Sequence, residues 1–254
     1  MKIVKDSNDM YHSHESISAS GLKTIARSSV KHFLEQDFKE TDAMKFGTAV
    51  HQAILEPHDF YDIYYALPNF GDLRKKENKE LKKQEELKAE GKICLSHNEH
   101  EAIKKILENY NKNELAKHYC KGEIELSHYL KHDGIDVRVR PDVINRVSGF
   151  IADVKTTKNN NPDKFRWTVR DFGYHIQAAF YMDMLGVDTF KIIAVENVKP
   201  YTVNVQTIDK ESIEKGRKLY KKALDDWKLY VRENKIKSYS WSSMADDGSY
   251  LIKI

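Results

Sequence analysis

Asp142, Asp153 and Lys155 are the residues on which chemistry can be built. Ile151-Ala152-Asp153-Val154-Lys155-Thr156-Thr157 alternates in the manner of a β-strand, and side chains at i and i+2 of a strand share a face. Asp153 and Lys155 therefore stand on one ledge, about 6–7 Å apart along the chain. A D-x-K taken alone is ordinarily a surface ion pair. Asp142 changes that reading: it lies 11 residues earlier (153 − 142), within Arg138-Val139-Arg140-Pro141-Asp142-Val143-Ile144. Asn145-Arg146-Val147-Ser148-Gly149 between them reads as a hairpin turn. Antiparallel strands joined there bring both carboxylates to one point, a hard oxygen site suited to Mg²⁺ or Mn²⁺. Lys155 beside such an ion can orient or deprotonate a water and offset charge on a phosphate. The arrangement is that of a metal-dependent phosphodiesterase.

Several elements must hold this site. Phe46 to Glu56 reads as a helix ending before Pro57, with Gly47, Val50 or His51, and Ile54 on one face. A lone His there is usually core; beside two carboxylates His51 becomes a third metal ligand through neutral imidazole. Glu123 to Leu130 and Ile135 to Arg140 alternate as strands, joined by a hairpin at Lys131-His132-Asp133-Gly134. Either Glu123 or Glu125 can reach the site from the first of these strands, and Glu125 is favoured. Asp163 to Leu185 is expected to be helical, interrupted near Gly173. Gln177 and Tyr181 then lie one turn apart on an apolar helix, with Gln177 able to hold the attacking water or the scissile phosphate. Ser13 to Leu34 is expected to begin as a strand or turn and continue as a helix capped by Ser18 or Ser20, whose N-terminus, with Lys23 or Arg27 nearby, can seat a phosphate.

The remainder is scaffold. Asn98 to Cys120 reads as one amphipathic helix with Ile103, Ile106, Leu107 and Tyr110 inside. Thr189 to Val198 and Tyr201 to Thr207 read as strands. Ser212 to Lys235 reads as a long helix with Ile213, Leu219, Leu224, Trp227 and Tyr230 or Val231 as its stripe. The tail to Ile254 is short and aromatic. Residues 72–92 form a charged insertion: a solvated helix of i,i+4 pairs, or a mobile basic arm with Arg74, Lys75 and Lys76 nearest a nucleic-acid backbone.

The 254 residues, 40% apolar and 32% charged, suit one sizeable globular α/β domain over 1–254. No apolar run nears the length of a membrane span, and the N-terminus lacks a signal peptide's apolar core. Cys94 and Cys120 are the only cysteines; two cannot supply the four thiolates an iron–sulfur cluster usually takes, and free thiols in a reducing cytoplasm are expected. A net charge of +3 argues nothing about nucleic acid by itself, so any DNA-binding surface must be local.

Together, Phe-Gly-Thr-Ala-Val-His at 46–51, Arg-Pro-Asp at 140–142, Asp-Val-Lys-Thr-Thr at 153–157 and His-Ile-Gln-Ala-Ala-Phe-Tyr at 175–181 resemble the PD-(D/E)xK nucleases, and within them the RecE-type exonucleases (exodeoxyribonuclease VIII), relatives of lambda exonuclease. Tyr11-His12, Ser18 to Ile25, Leu55-Glu56-Pro57 with Phe60, and Gly91-Lys92 are also similar to that family. The likeness runs over about residues 11–240. It implies an α/β (α+β) restriction-endonuclease-like core, a central mixed β-sheet flanked by helices. It implies His51, Asp142, Asp153 and the Val154 carbonyl as metal ligands, Lys155 as the catalytic lysine, Gln177 as the motif's glutamine and Glu125 as its glutamate. Ser20 resembles a position that holds the DNA 5′-phosphate. With it, Lys23, Arg27, Arg74, Lys75, Arg140, Thr156 and Tyr181 are expected to face DNA.

The expected activity is a Mg²⁺-dependent (Mn²⁺ substituting), processive 5′→3′ exonuclease on double-stranded DNA ends, leaving 3′ overhangs for a RecT-like single-strand annealing partner. The resemblance further implies a homo-oligomeric ring, trimer or tetramer, in a bacterial cytoplasm, encoded by phage or prophage. A PD-(D/E)xK endonuclease or RecB/AddB-like accessory nuclease would carry similar metal motifs, and a non-catalytic DNA-binding module would keep the fold without needing Asp142, Asp153 and Lys155.

Overall fold

The computed structural model describes residues 1–37, 39–236 and 239. In chain order the elements are β1 (Lys2–Val4), α1 (Asn8–Ser13), β2 (Ile17–Ser18), α2 (Ala19–Arg27), α3 (Val30–Glu35), α4 (Asp42–Leu55), α5 (Phe60–Ile63), β3 (Tyr64–Ala66), α6 (Lys76–Leu87), β4 (Ile93–Leu95), α7 (His97–Lys112), α8 (Glu114–Tyr119), β5 (Glu123–Ile124), β6 (Ser127–His132), β7 (Ile135–Val139), β8 (Val143–Asn145), β9 (Phe150–Thr157), α9 (Pro162–Asp171), α10 (Tyr174–Leu185), β10 (Thr189–Glu196), β11 (Val203–Thr207) and α11 (Lys210–Glu233).

The expected central mixed sheet is five-stranded, in the order β11-β10-β9-β8-β5. Its centre is the parallel pair β9–β10. A parallel pair needs a crossover between its strands, which α9 and α10 supply. Phe150 to Val154 are buried without interruption, as befits a strand covered on both faces. Alternate residues feed two cores. Ile151, with Ile192 and Ala194 of β10, packs against α2, α10 and α11. Phe150, Ala152 and Val154 pack against α4, α7 and α8. α10 is set between left-handed glycines, Gly173 and Gly186, and is buried nearly all round. β1-β6-β7-β2 make a second sheet, and β3–β4 a parallel pair.

Four expected elements divide. Residues 98–120 form α7 and α8 rather than one helix: Asn113 ends the first and caps the second, accepting from the Ala116 N–H at 3.0 Å. The helix after Ser18 stops at Arg27, and α3 starts afresh with Ser29 as its cap. Glu123 to Leu130 is not one strand. β5 belongs to the central sheet and β6 to the second, and Glu125, with φ +53°, makes the break. Arg138 to Ile144 divides at Pro141, because β7 and β8 also lie in different sheets; proline cannot donate to either ladder. The 46–56 helix begins earlier, at Asp42, with Thr41 as cap. On α11 the stripe includes the buried Tyr220, and Val231 points outward, leaving Tyr230 as the packed alternative. The tail after Tyr239 lies outside the described residues.

Candidate active site

The hairpin places the two aspartates as the sequence suggested. β8 and β9 run antiparallel with Val143 opposite Ala152, so Asp142 sits one step on, opposite Asp153, where β8 has ended. Gly149, at φ +68°, closes the turn. The backbone that β8 no longer covers is used directly: the Val154 N–H donates to Asp142 Oδ2 at 2.6 Å. N–H and C=O of one strand residue face the same edge, so the Val154 carbonyl also faces this gap.

Helix α4 brings His51, whose Nε2 lies 2.7 Å from Asp142 Oδ2 and Nδ1 3.3 Å from Glu125 Oε1. Glu125 arrives through the strand break. Its N–H donates to the Asp142 carbonyl at 3.2 Å, and the turned backbone swings its side chain inward. Glu123, the competing choice, faces Arg146 at 3.5 Å instead. Donor atoms of His51, Glu125 and Asp142 lie within 4.8 Å of one another. One imidazole and two carboxylates, with a backbone carbonyl at hand, fit a small divalent cation of the Mg²⁺ or Mn²⁺ class. Asp153 stands beside this trio and is otherwise engaged: Lys155 Nζ pairs with Oδ2, and Gln177 Nε2 donates to Oδ1 at 2.9 Å.

The charges are strongly coupled. Burial alone raises the Asp142 carboxyl, but the His51 and Lys155 charges, with hydrogen bonds from His51 and the Val154 N–H, override it and hold Asp142 at about 2. Burial and the Asp142 charge push Asp153 up to about 6, against the pull of Lys155. Burial disfavours the charged His51 ring, yet Asp142 and Glu125 raise it to about 9. Lys155 is likewise desolvated, and Asp153 and Asp142 more than offset this, raising its pKa. Glu125 rises through burial and Asp142. Lys23 falls to about 8 through burial and the Lys155 charge.

These residues line one cleft of about 460 Å³, together with Ser20, Lys23, Thr156, Gln177 and Tyr181. Ser18, not Ser20, caps α2, accepting from the Gly21 N–H at 3.3 Å, and Ser20 is exposed in the first turn. Lys23 Nζ lies 3.4 Å from Gln177 Oε1, so Gln177 bridges Lys23 and Asp153.

Of the other expected DNA-facing residues, Arg140 and Tyr181 line the cleft but are held by protein partners, and Arg27, Arg74 and Lys75 do not line it. Arg140 is turned inward: Nε holds Glu125 Oε2 at 3.0 Å, and its guanidinium lies 4.3 Å from the Tyr11 ring. Tyr181 is buried and donates to the Arg140 carbonyl at 3.2 Å. Arg27 lies one turn beyond Lys23, outside the cleft lining. Arg74 forks Asp72 at 2.9 Å, and neither it nor Lys75 lines the cleft. Sequence reasoning missed Tyr174, whose ring lies 5.3 Å from the Lys155 amine and 5.8 Å from that of Lys23. It also missed Asn8, which with Tyr11 and His12 walls the cleft from the N-terminal side. Tyr174 directly follows the helix-breaking Gly173, a signal that could have marked it.

Residues 18–240 match the family model described as a PDDEXK-like domain of unknown function, DUF3799. The chain belongs to this family. Its mixed α/β architecture is that of the PD-(D/E)xK core. A "Putative exonuclease" from Eubacterium rectale shares the fold, with a TM-score of 0.61 at 14% identity, over 99% of this chain and 96% of that one. A phage related exonuclease from Haemophilus somnus 129PT gives a TM-score of 0.37 at 15% identity, over 89% of this chain and 100% of that one. No curated protein matches the chain. In this DUF3799 chain no helix of the described residues is long and apolar enough to cross a membrane.

Proposed function

We propose that this PDDEXK-like chain is a divalent-metal-dependent nuclease that degrades double-stranded DNA from its ends, 5′→3′, leaving 3′ overhangs. The observation that carries the reading is the meeting of His51, Glu125, Asp142, Asp153, Lys155 and Gln177 in one cleft. The exonuclease name borne by the Eubacterium rectale protein supports it. So does the resemblance of the sequence motifs to RecE-type enzymes.

His51, Glu125, Asp142 and the Val154 carbonyl, joined by Asp153, would hold a Mg²⁺ or Mn²⁺ ion. When bound, such an ion supplies Lewis acidity, lowering the pKa of a water and offsetting phosphate charge. The protein's own groups do the rest. The His51 and Lys155 charges, with the Val154 N–H, keep Asp142 in its ionised form. Gln177 fixes one oxygen of Asp153, leaving the other to Lys155. Lys155 stays cationic beside two carboxylates; it orients a water by donating to it and faces the phosphate as a positive charge. Lys23, half-buried beyond Gln177, is a second cation for the DNA backbone. A homo-oligomeric ring, a cytoplasmic setting and a single-strand annealing partner complete the proposal by analogy with RecE-type enzymes.

The test is a time course on end-labelled linear duplex with Mg²⁺, alongside a covalently closed circle. Release of 5′ labels as mononucleotides, with 3′ labels retained and the circle intact, is expected. Cleavage of the circle, or undiminished activity of Asp153→Ala, overturns the proposal.

A further inference from the structure

Behind the first turn of α10 lies a second cavity, of about 430 Å³. Tyr174 lines the catalytic cleft and the next residue, His175, lines this second cavity. One turn of helix is thus the wall between them. Three aromatic residues lie between the middle of α9 and the start of α10. Tyr174 lies in the cleft beneath the Lys155 and Lys23 amines. Phe172 stacks on Tyr174, with centroids 5.9 Å apart and planes at 22°, and is 59% exposed. Trp167, 46% exposed, has the guanidiniums of Arg166 and Arg170 at 5.0 and 4.5 Å from its ring.

Cations accompany the rings. The Lys23 stem packs against Gly173, where an added Cβ would lie 3.3 Å from it. Burial lowers the pKa of the His175 ring, against a hydrogen bond to the Val169 carbonyl, and the nearby charges of Arg27 and Lys215 lower it further. The second cavity is lined by Arg166, Arg170 and Lys215 against one acid, Asp209. Asp209 is committed to capping α11, accepting from the Ser212 N–H at 2.9 Å and hydroxyl at 2.8 Å. Arg170 pairs with Asp171 at 3.1 Å and Lys215 with Glu211 at 2.8 Å. Arg166 has its contact with Trp167 and no ion pair among the described residues.

Exposed rings interleaved with cations suit single-stranded nucleic acid, whose unpaired bases stack on aromatic and guanidinium planes while phosphates meet the charges. A duplex, with its bases already stacked, would leave the rings unused. We propose that the band from Tyr174 through Phe172 to Trp167 and Arg166 is a track that takes a single DNA strand at the mouth of the cleft. The inference rests on the reading that DNA is what this cleft binds.

The experiment measures anisotropy of a fluorescein-labelled oligothymidylate titrated with the full chain in EDTA, so that no cutting occurs. Trp167→Ala is expected to weaken binding by about fivefold or more, and Trp167→Phe, which keeps a ring, to restore most of it. Arg166→Ala is expected to reduce the slope of log affinity against log salt by about 0.7. Unchanged affinity and slope in both alanine variants overturn the track. An altered oligomeric state in Trp167→Ala with single-strand affinity unchanged makes the patch a protein interface and also overturns it. Failure of the end-label assay with these binding losses intact would sink the nuclease reading and leave the track standing.

Discussion

The catalytic cleft and helix α6 are both dense in lysine and acid, and they treat those charges in opposite ways. In the cleft Asp153 is 2% exposed and bears Lys155, Gln177 and the nearby Asp142 charge together. On α6, Lys82 and Glu86 pair at 3.3 Å with both side chains about two-fifths exposed, 40% and 41%. Water screens the second kind of pair to about 0–1 kcal/mol. The first kind has lost that water, so each carboxylate depends on specific partners, and removing one leaves a buried charge unanswered. Charge spacing alone does not make a site; convergence from several elements in a desolvated cleft does.

The largest break in that contrast is expected at its centre. Asp153→Asn removes the charge that Lys155 answers, and Lys155→Ala removes the only ammonium in direct contact with Asp153 among the described residues. Each is expected to lower the rate of DNA hydrolysis by about 10³-fold, as for loss of a group stabilising transition-state charge. A loss below tenfold in both, measured as initial rate on labelled duplex, would mean that the cleft is no more chemically engaged than α6.

Gln177 acts one step back, through Asp153 and Lys23. Gln177→Ala is expected to cost about 10–100-fold in activity, typical of a group that orients a ligand. Mn²⁺ affinity read by electron paramagnetic resonance should weaken with it, whereas Gln177→Glu, which places a like charge against Asp153, should be no better than alanine. Unchanged metal affinity would reduce Gln177 to packing.

The sequence made one part of this site legible and hid another. β9, the Asn145–Gly149 turn and the β8 side of the hairpin are local: period-2 alternation and a left-handed glycine decide them within a few residues. The placement of Gln177 followed from helical spacing after Gly173. Glu125 was favoured over Glu123, but the strand break that delivers it was not legible, because the backbone changes sheet at a non-glycine residue with positive φ. That conformation is imposed by partners distant in sequence, β8 for β5 and β7 for β6. The inward turn of Arg140 was hidden for the same reason, since Tyr11 and Glu125 hold it from two other segments. The track at Trp167 escaped notice because Arg166 and Arg170 acquire meaning only where α9 meets α10 and α11.

The coupling in the cleft should also appear as a pH dependence that α6 lacks. The His51 pKa is raised from 6.5 to about 9 in the folded protein without metal. A raised histidine stabilises the fold fully below the unfolded value and loses that contribution as pH climbs through the folded one. Above pH 8 Lys23, lowered to about 8, works in the opposite direction, because an amine that sheds its proton earlier when folded gains stability with rising pH. The clean window is therefore pH 6.5–8. Denaturant midpoints in EDTA should show wild type losing about 1–2 kcal/mol across it relative to His51→Gln. Parallel curves would mean that the Asp142–His51–Glu125 contacts are not formed in solution.

The smallest effect belongs to α6 and tests the other half of the contrast. Lys82→Ala removes one exposed pair and is expected to change stability by less than about 0.5 kcal/mol, with cleavage rate unaltered. The turn that leads into α6 is the place where the comparison can fail. Arg74 is spent on Asp72, yet Lys75 is exposed and carries no ion pair among the described residues. If Lys75→Ala lowered the salt slope of duplex binding by about 0.9, one phosphate contact's worth, this edge would be a DNA-binding arm and its charges would not be mere solvation. The expected result is no measurable change, because nothing in the cleft converges on it.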